Sequence, residues 1–193
     1  MLVKCGYLHR IEFDEMIRFF GLSLIFIAFL SCKQEARVFE NTIRGEAQGT
    51  TYQITYLHNE SLNLKTKFDS IFTVVDDAVS TYKKSSLISH LNQGDTIVMD
   101  SIFKVVWEAS KTINIQSDGY FDPTVGPLVR FWGFGKETRR YAADSSQVDS
   151  VRQLTGISRF WQKGDSLHLG TGAYLDFNAI AQGYTVDLVA SFL

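Results

Sequence analysis

Apolar residues recur at helical spacing in two stretches of the chain. Between residues 61 and 82, apolar positions three and four residues apart predict an amphipathic helix that Ser61 caps and that ends near Ser80. A second helix is predicted over 100–117, and in both the apolar stripe marks the face that packs on the core. The first stripe consists of Leu64, Phe68, Ile71, Phe72, Val75 and Val79, and the second of Ile102, Val105, Val106, Ala109 and Ile113.

Alternating patterns predict strands elsewhere in the chain. The stretch "TTYQITYL" places Tyr52, Ile54 and Tyr56 on one face of a strand, and "GEAQG" before it predicts a turn or bulge. Further on, "ISRFWQKGDSLHLG" predicts a hairpin around "KGD". A last strand is predicted through Leu175 and Phe177, followed by a tight segment at "NAIAQG" and a helix that reaches the chain end.

Two shorter helical segments complete the predicted elements. Residues 80–95 are rich in small hydroxyl side chains and predict a loop with one helical turn at "SLISHLN". The stretch "SSQVDSVRQLTG" predicts a short helix closed by Gly156. The predicted fold class is therefore α+β, with mixed helices and a mostly antiparallel sheet, in a domain that we expect to be truncated at its C-terminus.

The start of the chain has the pattern of a lipoprotein signal. An apolar run over 19–31 follows Arg18, and its length suits a signal-peptide core better than a membrane span. It ends in "LSC", which resembles the lipobox of bacterial lipoproteins and implies a lipid on Cys32, although Phe29 replaces the usual leucine. Acidic residues precede the run, so we expect translation to start at Met16. The alternative is a short anchor helix with an incidental cysteine.

Composition fits one folded domain behind that segment. The expected organisation is a signal segment over 1–32, a tether over 33–41 and a domain over 42–193. The chain is 45% hydrophobic and 13% aromatic, which is ample for a core. Its net charge is −2 and it has no basic run, so nucleic acid is not an expected partner.

Common catalytic and metal patterns are absent from the sequence. Both cysteines, Cys5 and Cys32, precede the domain, and the four histidines show no paired spacing, so no zinc site is expected. The sequence contains neither a Gly-Lys-Ser phosphate loop nor a G-x-S-x-G elbow. Candidate chemistry is therefore left to four unusual segments: "QGTTY", "STYKKSSLISHLN", "DGYFDPTVGPLVRFWGFG" and "LDFNAIAQGYTVD".

Each segment also has a purely structural interpretation. The stretch "DGYFDPTVGPL" holds both prolines of the chain, Pro123 and Pro127, which restrict the backbone and alone predict a rigid turn. Asp122 before a proline is a common turn residue. Tyr52 and Tyr82 are more often core or surface aromatics than ring-stacking partners.

Together and in this order, the segments resemble the FAD:protein FMN transferases, the ApbE family. The matching motifs are "GTTY", "STY" with S-x-x-S-x-x-N at Ser86, Ser89 and Asn92, "DG-x-FDPTVGPLV…WGFG", and "LDF-x-x-IA-x-GY-x-x-D". The resemblance runs from about Gly45 to Leu193 and implies an ApbE-like, T-fold-related domain.

The resemblance implies a phosphoryl-transfer enzyme. Members of the family cleave FAD with the help of Mg²⁺, release AMP, and attach FMN through a phosphoester to a threonine or serine of a target protein. Because the nucleophile belongs to that protein acceptor, no catalytic Ser-His or Cys-His pair is expected in this chain.

Site residues follow from the same motifs. The resemblance implies one Mg²⁺ ligand, the backbone carbonyl of Ala179, a hard oxygen that suits this ion. Relatives complete the metal site in a C-terminal part that we expect to lie beyond Leu193. Residues matching the FAD contacts of the family are Gln48, Tyr82, Tyr120, Phe121, Asp122, Asp176 and Gln182.

Two further interpretations remain open from the sequence. A lipid-anchored protein that binds FAD without transferring FMN fits incomplete metal ligation, and so does an inactive fragment. For the enzyme, the resemblance implies an acceptor in a membrane electron-transport complex. The Cys32 lipid anchor would place it in the bacterial cell envelope, facing the periplasm.

Overall fold

The computed structural model of the protein describes residues 37–134 and 145–193. The predicted signal segment, with Met16 and Cys32, lies outside the described residues. The chain divides into two compact units, Met1–Phe39 and Glu40–Leu193, and the second holds nearly all described residues. Within those residues, no helix combines the length and apolar character that a membrane span requires.

The described ranges contain six α-helices, one 3₁₀ turn and five strands. In chain order these are β1 (Phe39–Ala47), β2 (Thr50–His58), α1 (Lys65–Val79), α2 (Leu87–Asn92), β3 (Ile97–Val98), α3 (Ser101–Gln116), α4 (Gly126–Phe131), α5 (Ser145–Arg152), a 3₁₀ turn (Ile157–Arg159), β4 (Phe160–Lys163), β5 (Ser166–Leu169) and α6 (Asn178–Phe192).

Strands β1 and β2 form a hairpin, which confirms the predicted strand at "TTYQITYL". Only Gln48 and Gly49 form the turn, with φ of 52° and 75°, the left-handed pair that suits a two-residue hairpin connection. The rest of "GEAQG" belongs to β1. This strand begins at Phe39, three residues ahead of the expected domain start at position 42.

The second sheet confirms the hairpin predicted around "KGD". Its strand order is β3-β5-β4 and both pairings are antiparallel. Leu167 lies opposite Ile97 on one side and Gln162 on the other. The short strand β3 was not predicted, because two residues are too few to show an alternating pattern.

The main core lies between this sheet and the helices α1, α2, α3 and α6. Phe103 and Phe177 meet edge to face with ring centroids 5.4 Å apart, and Trp107 packs on Phe160 at 5.5 Å. A smaller apolar cluster, centred on Tyr56, Phe68 and Val189, joins the first hairpin to α1 and α6. The α+β class and the antiparallel sheets are as predicted.

The predicted buried stripe of α3 is confirmed at Val106 but wrong at Val105 and Ile113. The buried residues are Phe103, Val106, Trp107 and Ser110, whereas Val105 is 49% exposed and Ile113 is 37% exposed. Apolar side chains surround much of this helix, so spacing alone left its rotation ambiguous. The large rings of Phe103 and Trp107 decide it, because they bury the most area.

Ser61 does not cap α1, although the predicted end of that helix near Ser80 is confirmed. The helix begins after Leu64 without a side-chain cap. The Tyr56 hydroxyl donates to the Leu62 carbonyl, and the Lys65 N–H donates to Asn63 Oδ1 at 3.0 Å. These bonds organise the entry to the helix downstream of Ser61.

The segment 173–177 forms no strand in the described structure, contrary to prediction. The Leu175 backbone instead bonds to the side chain of Asn92, and the Asp176 N–H donates to the Pro123 carbonyl. These partners replace a neighbouring strand. The predicted tight segment at "NAIAQG" is also wrong, because α6 starts at Asn178 and runs through it.

Candidate functional site

A cavity of about 550 Å³ opens beside α2, α4 and the segment that precedes α6. We call it the Tyr174 cavity. Its volume falls in the range of about 300–1,000 Å³ that is typical of small-molecule sites. It is lined by Thr81, Tyr82, Lys84, Ser89, Asn92, Gln93, Gly126, Val129, Arg130, Phe134, Tyr174, Asp176 and Asn178.

A second cavity, of about 700 Å³, adjoins the first. We call it the Gln182 cavity. Tyr82 and Asn178 line both cavities, so the two spaces meet at these side chains. Its lining residues are Gln48, Gly49, Asp76, Val79, Ser80, Tyr82, Lys83, Asn178, Ala181 and Gln182. Together the cavities offer room for an elongated ligand with two distinct ends.

The structure brings four of the seven predicted FAD residues to these cavities. Tyr82 and Asp176 line the Tyr174 cavity, while Gln48, Tyr82 and Gln182 line the Gln182 cavity. The other three predicted FAD residues, in the loop after α3, are not among the lining residues of either cavity. They are Tyr120, which is 96% exposed, and the partly buried Phe121 and Asp122.

The loop that carries Asp122 is held by its own hydrogen bonds. Asp122 Oδ1 accepts from the Thr124 N–H at 2.8 Å and from the Thr124 hydroxyl at 2.6 Å. The Gly156 N–H donates to Thr124 Oγ1 at 2.6 Å, which ties the loop to the segment after α5. Pro123 is buried, and its carbonyl accepts from the Asp176 N–H at 2.8 Å. The loop that carries Asp122 and Pro123 therefore positions Asp176.

The S-x-x-S-x-x-N motif positions two walls of the Tyr174 cavity. Ser86 caps α2 by accepting from the Ser89 N–H at 3.1 Å, and its hydroxyl donates to the Ser80 carbonyl at 2.7 Å. Asn92 donates to the Leu175 carbonyl at 2.8 Å and accepts from the Leu175 N–H at 2.7 Å. The serines thus fix the loop of Tyr82, and Asn92 fixes the segment beside Asp176.

Burial raises the pKa of the Asp176 carboxyl above its usual value. The N–H of Asn178 donates to Asp176 Oδ1 at 2.7 Å and opposes that rise, and the Asn178 amide donates to Oδ2 at 3.2 Å. Burial likewise raises the pKa of Tyr174, while the charge of Arg130 lowers it. The guanidinium carbon of Arg130 lies 4.2 Å from the Tyr174 ring centroid.

Gln48 connects the first hairpin to α6. Its side-chain amide donates to Thr185 Oγ1 at 2.8 Å, and that hydroxyl donates to the Ala181 carbonyl at 2.8 Å. The hairpin tip is therefore held against the helix that carries Gln182. Asp76 also lines the Gln182 cavity. Burial raises the pKa of its carboxyl, and the charge of Lys83 opposes that rise.

The predicted magnesium ligand, Ala179, is not accompanied by a cluster of metal-binding side chains among the described residues. Across 37–134 and 145–193, no three His, Cys, Asp or Glu side chains come together as a metal site. Ala179 lies in the first turn of α6. In a regular helix its carbonyl accepts from the N–H of Gly183, four residues on, and the oxygen keeps a second lone pair that could bind an ion. One carbonyl does not make a magnesium site, so these residues alone do not fit the ion.

Sequence reasoning missed four residues of the Tyr174 cavity that bear charge or an aromatic ring, one of them Phe134 of "WGFG". Tyr174 immediately precedes "LDF", and Arg130 stands between "GPLV" and "WGFG". Lys84 lies two residues after the end of "STY". Their adjacency to the motifs was the available signal, although spacing alone does not show which side chains face a cavity.

The fold is that of flavin transferases. The solved flavin transferase ApbE from Vibrio cholerae superposes with a TM-score of 0.75 and 31% identity, covering 81% of this chain and 54% of that chain. Pseudomonas stutzeri flavinyl transferase ApbE, in its apo form, gives a TM-score of 0.72 at 29% identity, covering 80% and 52%.

Sequence comparison identifies the family. A family model described as the ApbE family matches residues 48–193, so the chain belongs to that family. The FAD:protein FMN transferase of Vibrio cholerae is 35% identical over 161 residues, covering 78% of this chain and 48% of the relative. That of Haemophilus influenzae is 30% identical over 189 residues, covering 86% and 52%. The chain thus spans about half the length of these relatives.

Proposed function

We propose that the whole protein transfers FMN from FAD to a threonine or serine of an acceptor protein. The observation that carries this proposal is the match to the ApbE family over 48–193, whose relatives are named FAD:protein FMN transferase. The adjoining Tyr174 and Gln182 cavities support it, because they bring Gln48, Tyr82, Asp176 and Gln182 around one elongated space.

The proposed reaction is a substitution at phosphorus. The acceptor hydroxyl oxygen forms a bond to the phosphorus on the flavin side of the FAD pyrophosphate. The bond from that phosphorus to the bridging oxygen breaks, AMP leaves with the electron pair, and the hydroxyl proton passes to solvent. Aromatic and hydrogen-bonding groups of the two cavities bind and orient FAD for this attack.

We propose that the activity of the whole protein depends on Mg²⁺. The ion would supply charge neutralisation at the phosphates. Support comes from the motif position of Ala179 at the start of α6. The described residues do not form a metal site, so no step of the reaction is assigned to them through the ion.

Intact-mass analysis tests the transferase proposal. The whole protein is mixed with FAD, Mg²⁺ and a protein substrate of a known flavin transferase, with EDTA and acceptor Thr→Ala samples as controls. We expect the acceptor to gain the mass of one FMN less water, with an equal amount of AMP released, and both controls to show no gain. An unchanged acceptor mass in the complete mixture would count against the transferase.

A second function is favoured by the missing metal cluster among the described residues. In that case the protein binds FAD without transferring FMN. FAD would then bind reversibly and its fluorescence would be quenched, while no AMP would form with any acceptor. An inactive fragment would show neither binding nor transfer.

The cellular setting is also part of the proposal. The motif at Cys32 supports a lipid anchor in the bacterial cell envelope, facing the periplasm, where subunits of membrane electron-transport complexes would be acceptors. Cells fed radiolabelled fatty acid should label the wild-type protein and leave Cys32→Ser unlabelled. Equal labelling of both would refute the anchor.

A further inference from the structure

Arg130 has a cationic side chain without an acidic partner in the Tyr174 cavity. It stacks on the Tyr174 ring, and within residues 37–134 and 145–193 no hydrogen bond or ion pair joins its guanidinium to another group. A guanidinium has five N–H donors arranged in a planar fork. Because the guanidinium carbon lies over the ring and none of these donors is paired within the described residues, the donors remain available to a ligand.

The lining of this cavity is biased towards anions. Lys84 also lines it and, in the described ranges, has no carboxylate partner, whereas the neighbouring Lys83 pairs with Asp77. The one acidic residue of the lining is Asp176, whose two oxygens accept from Asn178. Two cations therefore face a cavity whose single carboxylate already has hydrogen-bond partners.

The same cavity offers flat rings beside the cations. Tyr82, Phe134 and Tyr174 all contribute to its lining. A ligand that suits both features carries an aromatic ring system and closely spaced negative charges. FAD has this chemistry, and its charges lie on the pyrophosphate that links its two halves.

We propose that Arg130 binds the pyrophosphate oxygens of FAD through the edge of its guanidinium, with Tyr174 holding the orientation of that side chain. This inference rests on the proposed function for the identity of the ligand. A planar fork presents two parallel N–H donors to two phosphate oxygens, a geometry that the ammonium of a lysine does not reproduce. Arg130 would thereby hold the phosphorus that the acceptor hydroxyl attacks.

Flavin binding tests the proposal independently of catalysis. Dissociation constants for FAD and for riboflavin, which has the same ring system but no phosphate, are measured with the whole protein by flavin fluorescence. For Arg130→Gln we expect FAD to bind about tenfold more weakly, as for the loss of one charged hydrogen-bonding partner. Riboflavin affinity should change less than about twofold, because the lost contact is to phosphate.

Two further variants separate charge from shape. Arg130→Lys keeps the charge but loses the fork, so its FAD affinity should fall between those of the wild type and Arg130→Gln. The matched control is Arg152→Gln, which removes the same charge from an exposed position on α5 and should leave both affinities unchanged.

Salt provides a measurement that uses FAD alone. The affinity of the wild type for FAD should fall as KCl screens the contact, and the fall should be shallower for Arg130→Gln. The proposal would be overturned if the salt curves of the wild type and Arg130→Gln were parallel, or if Arg130→Gln bound FAD as tightly as the wild type does. Equal losses for FAD and riboflavin, which indicate a distorted Tyr174 cavity, would also overturn it, as would a change confined to the KM for the acceptor.

The outcomes for Arg130 and for the transferase are distinguishable. If the wild type transfers FMN while Arg130→Gln binds FAD normally, only the Arg130 proposal fails. If the wild type binds FAD through Arg130 but transfers nothing, only the transferase proposal fails.

Discussion

Gly126 shows how a single missing side chain shapes the candidate site. A Cβ atom added at this buried position would lie 2.2 Å from Cδ1 of the Tyr174 ring. Two non-bonded carbon atoms cannot lie this close together, so an added side chain would force the ring or the backbone to move. Glycine is therefore required here for close packing, since its lack of a side chain lets the Tyr174 ring rest against the start of α4.

Gly126→Ala should destabilise the protein and displace the Tyr174 ring. We expect the free energy of unfolding in urea to fall by about 1–3 kcal/mol, as for other overpacked sites, and FAD to bind more weakly. Gly183→Ala is the matched control, since its added Cβ has no atom within 4 Å and it lies inside α6. That variant should be unchanged or more stable by about 0.5–1 kcal/mol. Equal stability of the two variants would contradict the packing argument.

Asp176 links burial to pH dependence. Its folded-state pKa is raised by burial above the unfolded value of about 3.9. The folded protein therefore holds this proton more tightly than the unfolded chain does. The group favours the folded state at low pH, and this contribution is lost as pH rises through the folded pKa.

Asp176→Asn should remove that contribution. We expect the stability of the wild type relative to the variant to be greatest at acid pH, to decline as pH rises above about 4, and to level off beyond the folded pKa. Urea unfolding of both proteins across this range measures the difference. The raised pKa of Asp76 acts in both proteins and cancels in it. A difference independent of pH would show that burial does not control this carboxyl.

Helix α3 illustrates which property of an element a local pattern predicts. Its existence follows from sequence, and it begins where Asp100 Oδ1 accepts from the Phe103 N–H at 2.7 Å. Its rotation does not follow, because apolar side chains occupy more than one face. The core sheet selects the face with Phe103 and Trp107, since burying these rings removes the most apolar area from water.

Two adjacent valines test the rotation of α3. Val106 is 1% exposed and Val105 is 49% exposed. Val106→Ala should lower the free energy of unfolding by about 2 kcal/mol, because it leaves a cavity in the core. Val105→Ala should change it by less than about 0.5 kcal/mol, as at other surface positions. The reverse order in urea unfolding would contradict the rotation of α3 in the structure.

Asn92 joins parts of the domain that are far apart in the chain. It lies at the end of α2, and both its amide atoms bond to the backbone of Leu175, 83 residues away. Leu175 is fully buried, so its backbone groups would lose these partners without gaining water. Asn92, together with the Pro123 carbonyl, therefore places this irregular wall of the Tyr174 cavity.

Asn92→Ala should lower the free energy of unfolding by about 2–3 kcal/mol, because it leaves buried backbone groups unsatisfied. FAD affinity should fall with it, since the segment with Asp176 loses its position. Asn59→Ala, at an exposed site after β2, is the control and should change stability by less than about 0.5 kcal/mol. Thermal and urea unfolding measure both variants. A stability for Asn92→Ala equal to that of the control would show that the Asn92–Leu175 hydrogen bonds do not hold this segment in place.

Local sequence was sufficient for the elements with strong short-range signals. The hairpin at "KGD", the α1 helix up to Ser80 and the turn of helix at "SLISHLN" were all predicted, because turn residues and periodicity act between near neighbours. The four motif segments were also sufficient to predict the ApbE family, which the match over 48–193 confirms.

Tertiary contacts decided the rest. The wall at Leu175 is irregular because Asn92 and Pro123 supply its backbone hydrogen bonds, and neither is a local neighbour. Long-range packing likewise stacked Arg130 on Tyr174 and left Tyr120 exposed, although both Arg130 and Tyr120 belong to one motif segment. Sequence established which residue types were present, and the direction each side chain faces followed from partners distant in the chain that only folding brings together.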